Sequence, residues 1–188
     1  MNSYYQLIKP IKNEDQHAVY DNSEKKNLNP VLFETKTGNA IIALQVTPTN
    51  LSQFEKSLKD LNVKYFLFTN IKFKKIIEYA TKLKIKIRDI ETEEPGVYDE
   101  EEILSEIKRY ISQKNYSSLL EYIKTNDLII KEMEISSDTN NVTRIYESGV
   151  LWVDSELSES SQLKSNFNSI LDLICEGVNA DSRGAPSI

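Results

Sequence analysis

The segment from Lys64 to Glu91 reads KYFLFTNIKFKKIIEYATKLKIKIRDIE. The apolar run within residues 63–70 ends in turn residues, which is typical of a strand buried on both faces. Apolar residues then recur at helical spacing through Phe73, Ile76, Ile77 and Ala80, and a short third run follows at 86–90. The segment therefore predicts a strand, a helix and a strand.

Two apolar runs lie upstream, at 31–35 and 40–46, on either side of the turn residues KTGN at 36–39. This pattern predicts a β-hairpin. A helix is expected to follow it, because Leu51, Phe54, Leu58 and Leu61 fall at helical spacing. Strands joined through helices usually lie parallel with right-handed crossovers, so we expect parallel strands after the hairpin. Residues 1–28 are too weakly periodic for their elements to be placed.

The pattern changes at Pro95-Gly96, within an acidic run. We therefore predict a mixed α/β core over residues 1–92, an acidic α+β extension over 93–177 that packs on it, and a disordered tail over 178–188. In the extension we expect helices at 100–113 and 116–125, two antiparallel strands within 127–136 and 143–155, and a helix at about 159–176 that stops at Gly177. Acids at 99–102 suit the N-terminus of the first of these helices.

Composition favours an ordinary globular protein, since 39% of the 188 residues are hydrophobic and 28% are charged. The single cysteine, Cys175, cannot form an internal disulfide and is expected to be a buried thiol on a helix. No apolar run approaches the roughly 18 residues that a membrane span needs, and the N-terminus lacks a signal-peptide core. We therefore expect a cytoplasmic protein in a reducing compartment, with no membrane partner.

Charge is distributed unevenly along the chain. Residues 1–90 contain 15 Lys/Arg and 9 Asp/Glu, a net charge of +6, whereas residues 91–188 contain 8 and 20, a net charge of −12. Such a charge asymmetry indicates which partners a protein can bind and says little about its fold. Lysines on the predicted helix and the strand after it are candidate nucleic-acid ligands, namely Lys72, Lys75, Lys82 and Lys86. Two alternatives stay open: these lysines solvate an amphipathic helix, or they pair with the acidic segment 91–102.

A resemblance to a known family narrows the fold. The pieces FLFTN at 66–70, Phe73 through IEYA at 77–80, and IRDI at 87–90 resemble the end of the catalytic domain in Mrr-like restriction endonucleases. The hairpin NPVLFETKTGNAIIALQV at 29–46 is similar to the central hairpin of that family. The resemblance covers residues 28–92 and implies a restriction-endonuclease-like core, a hairpin followed by αβαβ, of the PD-(D/E)xK nuclease type.

The catalytic motif of that family is degenerate in this sequence. The family holds a divalent metal with an acid on the first hairpin strand and an acid or Gln on the second, and a Lys lies two positions further on. Gln45 matches the second-strand ligand, but Thr47 replaces the Lys, and the first-strand acid falls near Val31 or Leu32. The resemblance therefore implies a nuclease fold without a complete active site.

A second alignment restores an active site. Glu34 and Lys36 form a literal E-x-K motif, and Asp21 lies thirteen residues upstream of Glu34. Residues two apart on a strand share a face, as the motif requires. This alternative predicts a metal-dependent endonuclease with Mg²⁺ or Mn²⁺; otherwise no cofactor is expected.

Other site types find little support in the sequence. One histidine, His17, makes neither a triad nor a zinc site, and five glycines form no phosphate-binding loop. We expect a non-catalytic nuclease-fold protein that binds nucleic acid or serves as an accessory subunit of a restriction or defence complex. The remaining alternative is an acidic protein-binding module of the inhibitor or immunity type, with the −12 half as its contact surface.

Overall fold

The computed structural model describes residues 3–47, 51–93, 100–137, 141–157 and 160–176. Within these ranges the chain is a mixed α+β protein built on one eight-stranded sheet. The strands are β1 Ser3–Pro10, β2 Pro30–Glu34, β3 Ala40–Val46, β4 Val63–Tyr65, β5 Lys86–Glu93, β6 Ile129–Ser136, β7 Val142–Tyr146 and β8 Val150–Val153. The helices are α1 Gln16–Lys25, α2 Leu51–Lys59, α3 Asn70–Tyr79, α4 Glu100–Ser112, α5 Tyr116–Thr125 and α6 Ser161–Glu176, with a 3-10 turn at Asn13–Asp15 before α1.

All strand pairs in the sheet are antiparallel. The order is β2-β3-β1-β8-β7-β6-β5, and β4 also pairs with β1. The hairpin and the helix–strand–helix–strand order after it are as the sequence predicts. The expected parallel arrangement is wrong, because β3, β4 and β5 never pair with one another. Strand β1 lies between β3 and β4, and β5 pairs with β6 at the far edge.

Strand β1, which sequence periodicity does not place, is central to the sheet. One edge pairs with β3 over Tyr4–Ile8. The other edge pairs with β8 over Ser3–Gln6 and then with β4 over Ile8–Pro10. Its side chains alternate between two apolar layers, with Tyr5 and Leu7 in one buried cluster and Ile8 in the other.

The two faces of the sheet are covered differently. Helices α3 to α6 cover one face along its length, and their apolar side chains form one cluster with those of the strands; the ring of Phe167 on α6, for example, meets Phe33 edge to face. On the other face, Val19 of α1 with Phe54 and Leu58 of α2 pack on the β2-β3-β1 end. Strands from residues 1–92 and from 93–177 therefore share one sheet and one core. The division of the chain into a core and an extension stays a prediction from the sequence.

The predicted continuous strand at 63–70 is wrong, since β4 ends at Tyr65. Phe66 and Phe68 are buried and Leu67 is 50% exposed, and the Phe66 amide still donates to the Leu7 carbonyl oxygen of β1 at 3.0 Å. The turn between β7 and β8 lies beside Phe68. The Phe68 amide donates to the carbonyl oxygen of Glu147 in that turn at 3.0 Å. This turn also divides the predicted strand at 143–155 into β7 and β8.

Helices α2 to α6 form where the apolar spacing predicts them, and the strand at 86–90 extends to Glu93 as β5. Cys175 is a free, buried thiol on α6, as predicted. The predicted helix stop at Gly177, the tail at 178–188 and the acid at 99 lie outside the described residues.

Two glycines with positive φ make a matched test of this arrangement. Gly149 (φ +80°) lies so close to the 66–68 segment that an added Cβ would be 1.9 Å from the Phe66 carbonyl oxygen, whereas a Cβ on Gly38 (φ +75°) meets nothing within 4 Å. We expect Gly38→Ala to cost about 1 kcal/mol, the conformational penalty alone. Gly149→Ala adds a backbone clash and is expected to cost about 3 kcal/mol or more.

Urea unfolding of both variants measures this difference. Equal losses of unfolding free energy would contradict the close approach of the β7–β8 turn to Phe66.

Candidate anion-binding pocket

A pocket of about 360 Å³ opens where β1 and β4 end, beside the start of α3, the end of α6 and the β2–β3 turn. Its lining contains three lysines and no carboxylate: Lys9, Asn39, Lys64, Tyr65, Phe66, Leu67, Thr69, Lys72 and Cys175. A cavity with several ammonium groups and no acid attracts anions.

Two of these lysines lie directly opposite each other in the sheet. The register of β1 and β4 pairs Lys9 with Lys64. Like charges at opposed positions of neighbouring strands destabilise a sheet. The Lys9 ammonium donates to the Asn39 side-chain oxygen at 2.5 Å, a neutral partner that leaves the repulsion uncompensated. Asn39 itself is fixed, because its amide N–H donates to Thr35 Oγ1 at 3.0 Å.

The third lysine belongs to the first turn of α3. Lys72 Nζ lies 3.8 Å from the centroid of the Phe66 ring and donates to the Leu67 carbonyl oxygen. These contacts hold the amine at the pocket wall. Thr69, the residue before α3, makes no side-chain capping hydrogen bond. The partial positive charge at the start of α3 therefore adds to that of the lysines.

Burial changes the proton affinity of groups in the pocket. It lowers the pKa of Lys9, and the nearby Lys64 acts in the same direction. Burial also lowers the pKa of Lys72, and Lys9 adds to that effect. Burial raises the pKa of the Cys175 thiol, against the opposite influence of Lys72 and Lys9, so the thiol stays neutral at pH 7. The pocket wall is thus cationic with a neutral sulfur group.

The structure brings some of the predicted lysines to this region. Lys72 lines the pocket, and Lys75, one turn further along α3, lies near enough to Cys175 to influence its pKa. Lys82 follows α3 and lines a second, smaller pocket of about 180 Å³ together with Lys36 and with Asp172 and Glu176 of α6. Lys86 is exposed at the start of β5, opposite Ser136, and belongs to neither lining.

The candidate nuclease residues are distributed over different layers. Glu34 is exposed on the α1 side, where its carboxylate accepts a hydrogen bond from Gln16 Nε2 at 3.5 Å. Strand β2 ends at Glu34, so Lys36 lies in the turn, not on a strand face with Glu34 as the sequence predicts; its amide N–H donates to Asp172 Oδ1 at 2.8 Å. Asp21 is exposed on α1.

Gln45 is on the sheet face opposite to that of Glu34. The register pairs Glu34 with Ala40, and alternation along β3 places Ala40 and Gln45 on opposite faces. The Gln45 side chain accepts from Asn29 Nδ2 at 2.7 Å and donates to Ser3 Oγ at 3.4 Å. The hairpin therefore does not bring the four candidate nuclease residues together: Asp21, Glu34, Lys36 and Gln45.

Within the described residues there is no group of three or more His, Cys, Asp or Glu side chains placed to hold a metal ion. The described part of the chain also has no helix with the length and apolarity that a membrane crossing requires. Comparison with protein-family models, with curated proteins and with solved structures finds no match.

Of the three pocket lysines, the sequence predicts only Lys72 as a nucleic-acid ligand. Lys9, Asn39 and Lys64 were not singled out, because they meet only through the pairing of β1 with β4 and the position of the hairpin turn. The signal in the sequence that could indicate the pocket is the position of Lys64 at the start of the segment that also contains Lys72.

The shifted pKa values give a direct test. We expect Lys9 and Lys72 to titrate below the ordinary lysine value of about 10.4 because burial disfavours their charged forms. An anion binds the charged forms, so its affinity should fall as the pH rises through these lowered pKa values.

The measurement is the pH dependence of the lysine ¹³Cε shifts between about pH 8 and pH 11, with Lys→Arg variants for assignment. Added sulfate should raise both midpoints. Midpoints at or above the ordinary value would contradict the burial of these amines.

Proposed function

We propose that this protein binds nucleic acid without cleaving it, through a basic surface around the end of α6. The basic surface consists of Lys9, Lys36, Lys64, Lys72, Lys75 and Lys82. The observation that carries the proposal is the convergence of Lys9, Lys64 and Lys72 on one pocket without a carboxylate. Lysine binds phosphate groups as a point charge, and lysines that neutralise backbone phosphates supply the sequence-independent part of nucleic-acid binding.

The chain itself does little to neutralise this surface. Among the described residues, the ion pairs include none of these six lysines. Glu93, in the acidic segment that was an alternative partner, pairs instead with Lys131. The C-terminal end of α6 contributes about half a negative charge, and its Asp172 and Glu176 line the second pocket with Lys36 and Lys82 but not the three-lysine pocket. Three ammonium groups at the pocket exceed that charge, which favours an external polyanion.

The absence of catalysis is inferred from the hairpin. At the first-strand metal position, Val31 is buried and Leu32 is apolar, and the Gln45 amide is engaged with Asn29 and Ser3. The Mrr-like resemblance adds the expectation of an accessory role in a restriction or defence complex. The order hairpin, α2, β4, α3, β5 supports a nuclease-like core. The antiparallel pairing of β4 with β1 and of β5 with β6 speaks against it. A nuclease that uses Asp21, Glu34 and Lys36 stays the enzymatic alternative.

Charge reversal on α3 and after it tests the basic surface. The double variant Lys75→Glu/Lys82→Glu should weaken binding to single- and double-stranded DNA and RNA. The slope of log K against log salt should also fall, by about one unit for each phosphate contact that is lost. Fluorescence anisotropy across a salt series measures both quantities, and gels of the same samples with Mn²⁺ report cleavage.

Lys25→Glu/Lys108→Glu is the matched control, since it makes the same charge change at exposed positions on α1 and α4. Equal affinities of the two double variants would remove the basis for the proposed surface. Metal-dependent cleavage that Glu34→Ala abolishes would replace it with the nuclease alternative.

A second candidate function is supported by the other face of the sheet. At its β5–β6 end, Asp89 lies opposite Glu134, and Glu91 lies opposite Glu132. Arg144 pairs with Glu132 and Glu134, but among the described ion pairs none includes Asp89 or Glu91. Burial raises the pKa of Glu132, and Glu91, Glu134 and Asp89 raise it further against the influence of Arg144. Opposed acids on a partly exposed face fit a basic protein partner, as an inhibitor or immunity protein would require.

Glu132→Gln is the test of this arrangement. The raised pKa means that the charged carboxylate destabilises the fold above its folded-state pKa, and that this cost disappears as the pH falls below the unfolded-state value. The variant should therefore stabilise the protein at pH 7 by about 0.2–1 kcal/mol and have little effect at pH 3. Thermal unfolding at both pH values measures the difference, with Glu24→Gln on α1 as the exposed control. A loss of stability at pH 7 would show that Arg144 already compensates the charge of Glu132, and would contradict the repulsion between the opposed acids.

A further inference from the structure

We propose that the anion-binding pocket takes the terminal phosphate of a nucleic-acid strand. The inference rests on the proposed function, because it assigns a specific part of the nucleic acid to a specific part of the basic surface. A phosphate inside a strand is a monoanionic diester. A terminal phosphate is a monoester with a charge of about −1.5 to −2 at pH 7 and three free oxygens.

The number and placement of the amines favour the monoester. Lys9 and Lys64 are held opposite each other by strand register, and Lys72 closes the third side from α3. Their mutual repulsion is relieved most by the ligand with the greatest negative charge. Three oxygens also offer one acceptor to each of three ammonium groups, whereas a diester has only two non-bridging oxygens.

The remainder of the basic surface continues from the pocket. α3 contains 10 residues and is therefore about 15 Å long. Lys72 lies in its first turn, Lys75 one turn later, and Lys82 beyond its end. A strand with its end in the pocket follows the helix past these amines, which explains why the specific contact and the salt-dependent contacts occur on one surface.

The test compares three oligonucleotides of one sequence that carry a 5′-phosphate, a 3′-phosphate or no terminal phosphate. Competition against an internally labelled strand at about 150 mM salt gives their relative affinities. We expect one terminal phosphate to improve affinity at least about tenfold, and the two phosphorylated arms identify which end binds. Lys9→Met and Lys72→Met should bring this ratio close to one. Lys82→Met is the matched control and should weaken all three oligonucleotides while preserving the ratio.

Lys64→Met keeps the test decisive if a buried-lysine variant does not fold, since Lys64 is exposed and its replacement leaves the core intact. It should reduce the ratio as well. Equal affinities of the three oligonucleotides, with binding that still weakens steeply with salt, would overturn the terminal-phosphate inference and leave the proposed function standing. No binding of any oligonucleotide at low salt would overturn both.

Discussion

The pairing of β1 on both of its edges is the constraint on which the rest of the structure depends. One edge is filled by β3, and the other is divided between β8 and β4, which meet end to end. Gly149 makes this division possible, because only a residue without a Cβ can lie against the Phe66 carbonyl oxygen. Beyond Tyr65 the chain keeps two backbone hydrogen bonds, from the Phe66 amide to the Leu7 carbonyl oxygen and from the Phe68 amide to the Glu147 carbonyl oxygen, and it then enters α3 at Asn70. The same register places Lys9 opposite Lys64.

The pocket follows from that arrangement and not from a local motif. Strand register supplies two amines, and the start of α3 supplies the third. The hairpin turn supplies Asn39, and the end of α6 closes the wall with Cys175. Each lysine is exposed or half-buried, but together they oppose one another in a space without an acid. Such an arrangement costs stability, and a bound anion would offset this cost. The acidic pairs at the β5–β6 end of the sheet pose the same physical problem with the opposite sign.

Helices and the hairpin could be predicted because their signals are local. Apolar spacing placed α2 to α6, and the turn residues at 36–39 placed β2 and β3. Strand β1 is not predicted because burial in it does not follow polarity: Tyr5, Leu7 and Ile8 are buried on both faces, and the polar Gln6 between them is buried as well. The length of β4 was overestimated for a related reason. Phe66 and Phe68 are buried in the core cluster, where the Phe68 ring meets Phe66 and Phe73 of α3, although neither residue belongs to a strand.

The candidate site was predictable only where it is continuous in sequence. Lys72 and Lys75 belong to a recognisable helix face, but Lys9 and Lys64 are 55 positions apart and meet through β1 and β4. Parallel strand pairing was expected from the connections through helices, but this rule assumes that sequential strands are neighbours in one sheet. Here β1 and the β6-β7-β8 meander occupy the intervening positions.

The measurement that tests the central claim most directly is an NMR titration of the ¹⁵N-labelled protein with a short oligonucleotide phosphorylated at both ends. If the lysine pocket is the phosphate site, the largest amide shifts should occur at Lys9, Asn39, Tyr65 and Lys72. Residues of the acidic face, such as Glu132 and Arg144, should stay unchanged. Shifts concentrated on that acidic face, or no saturable shift at low salt, would contradict the account.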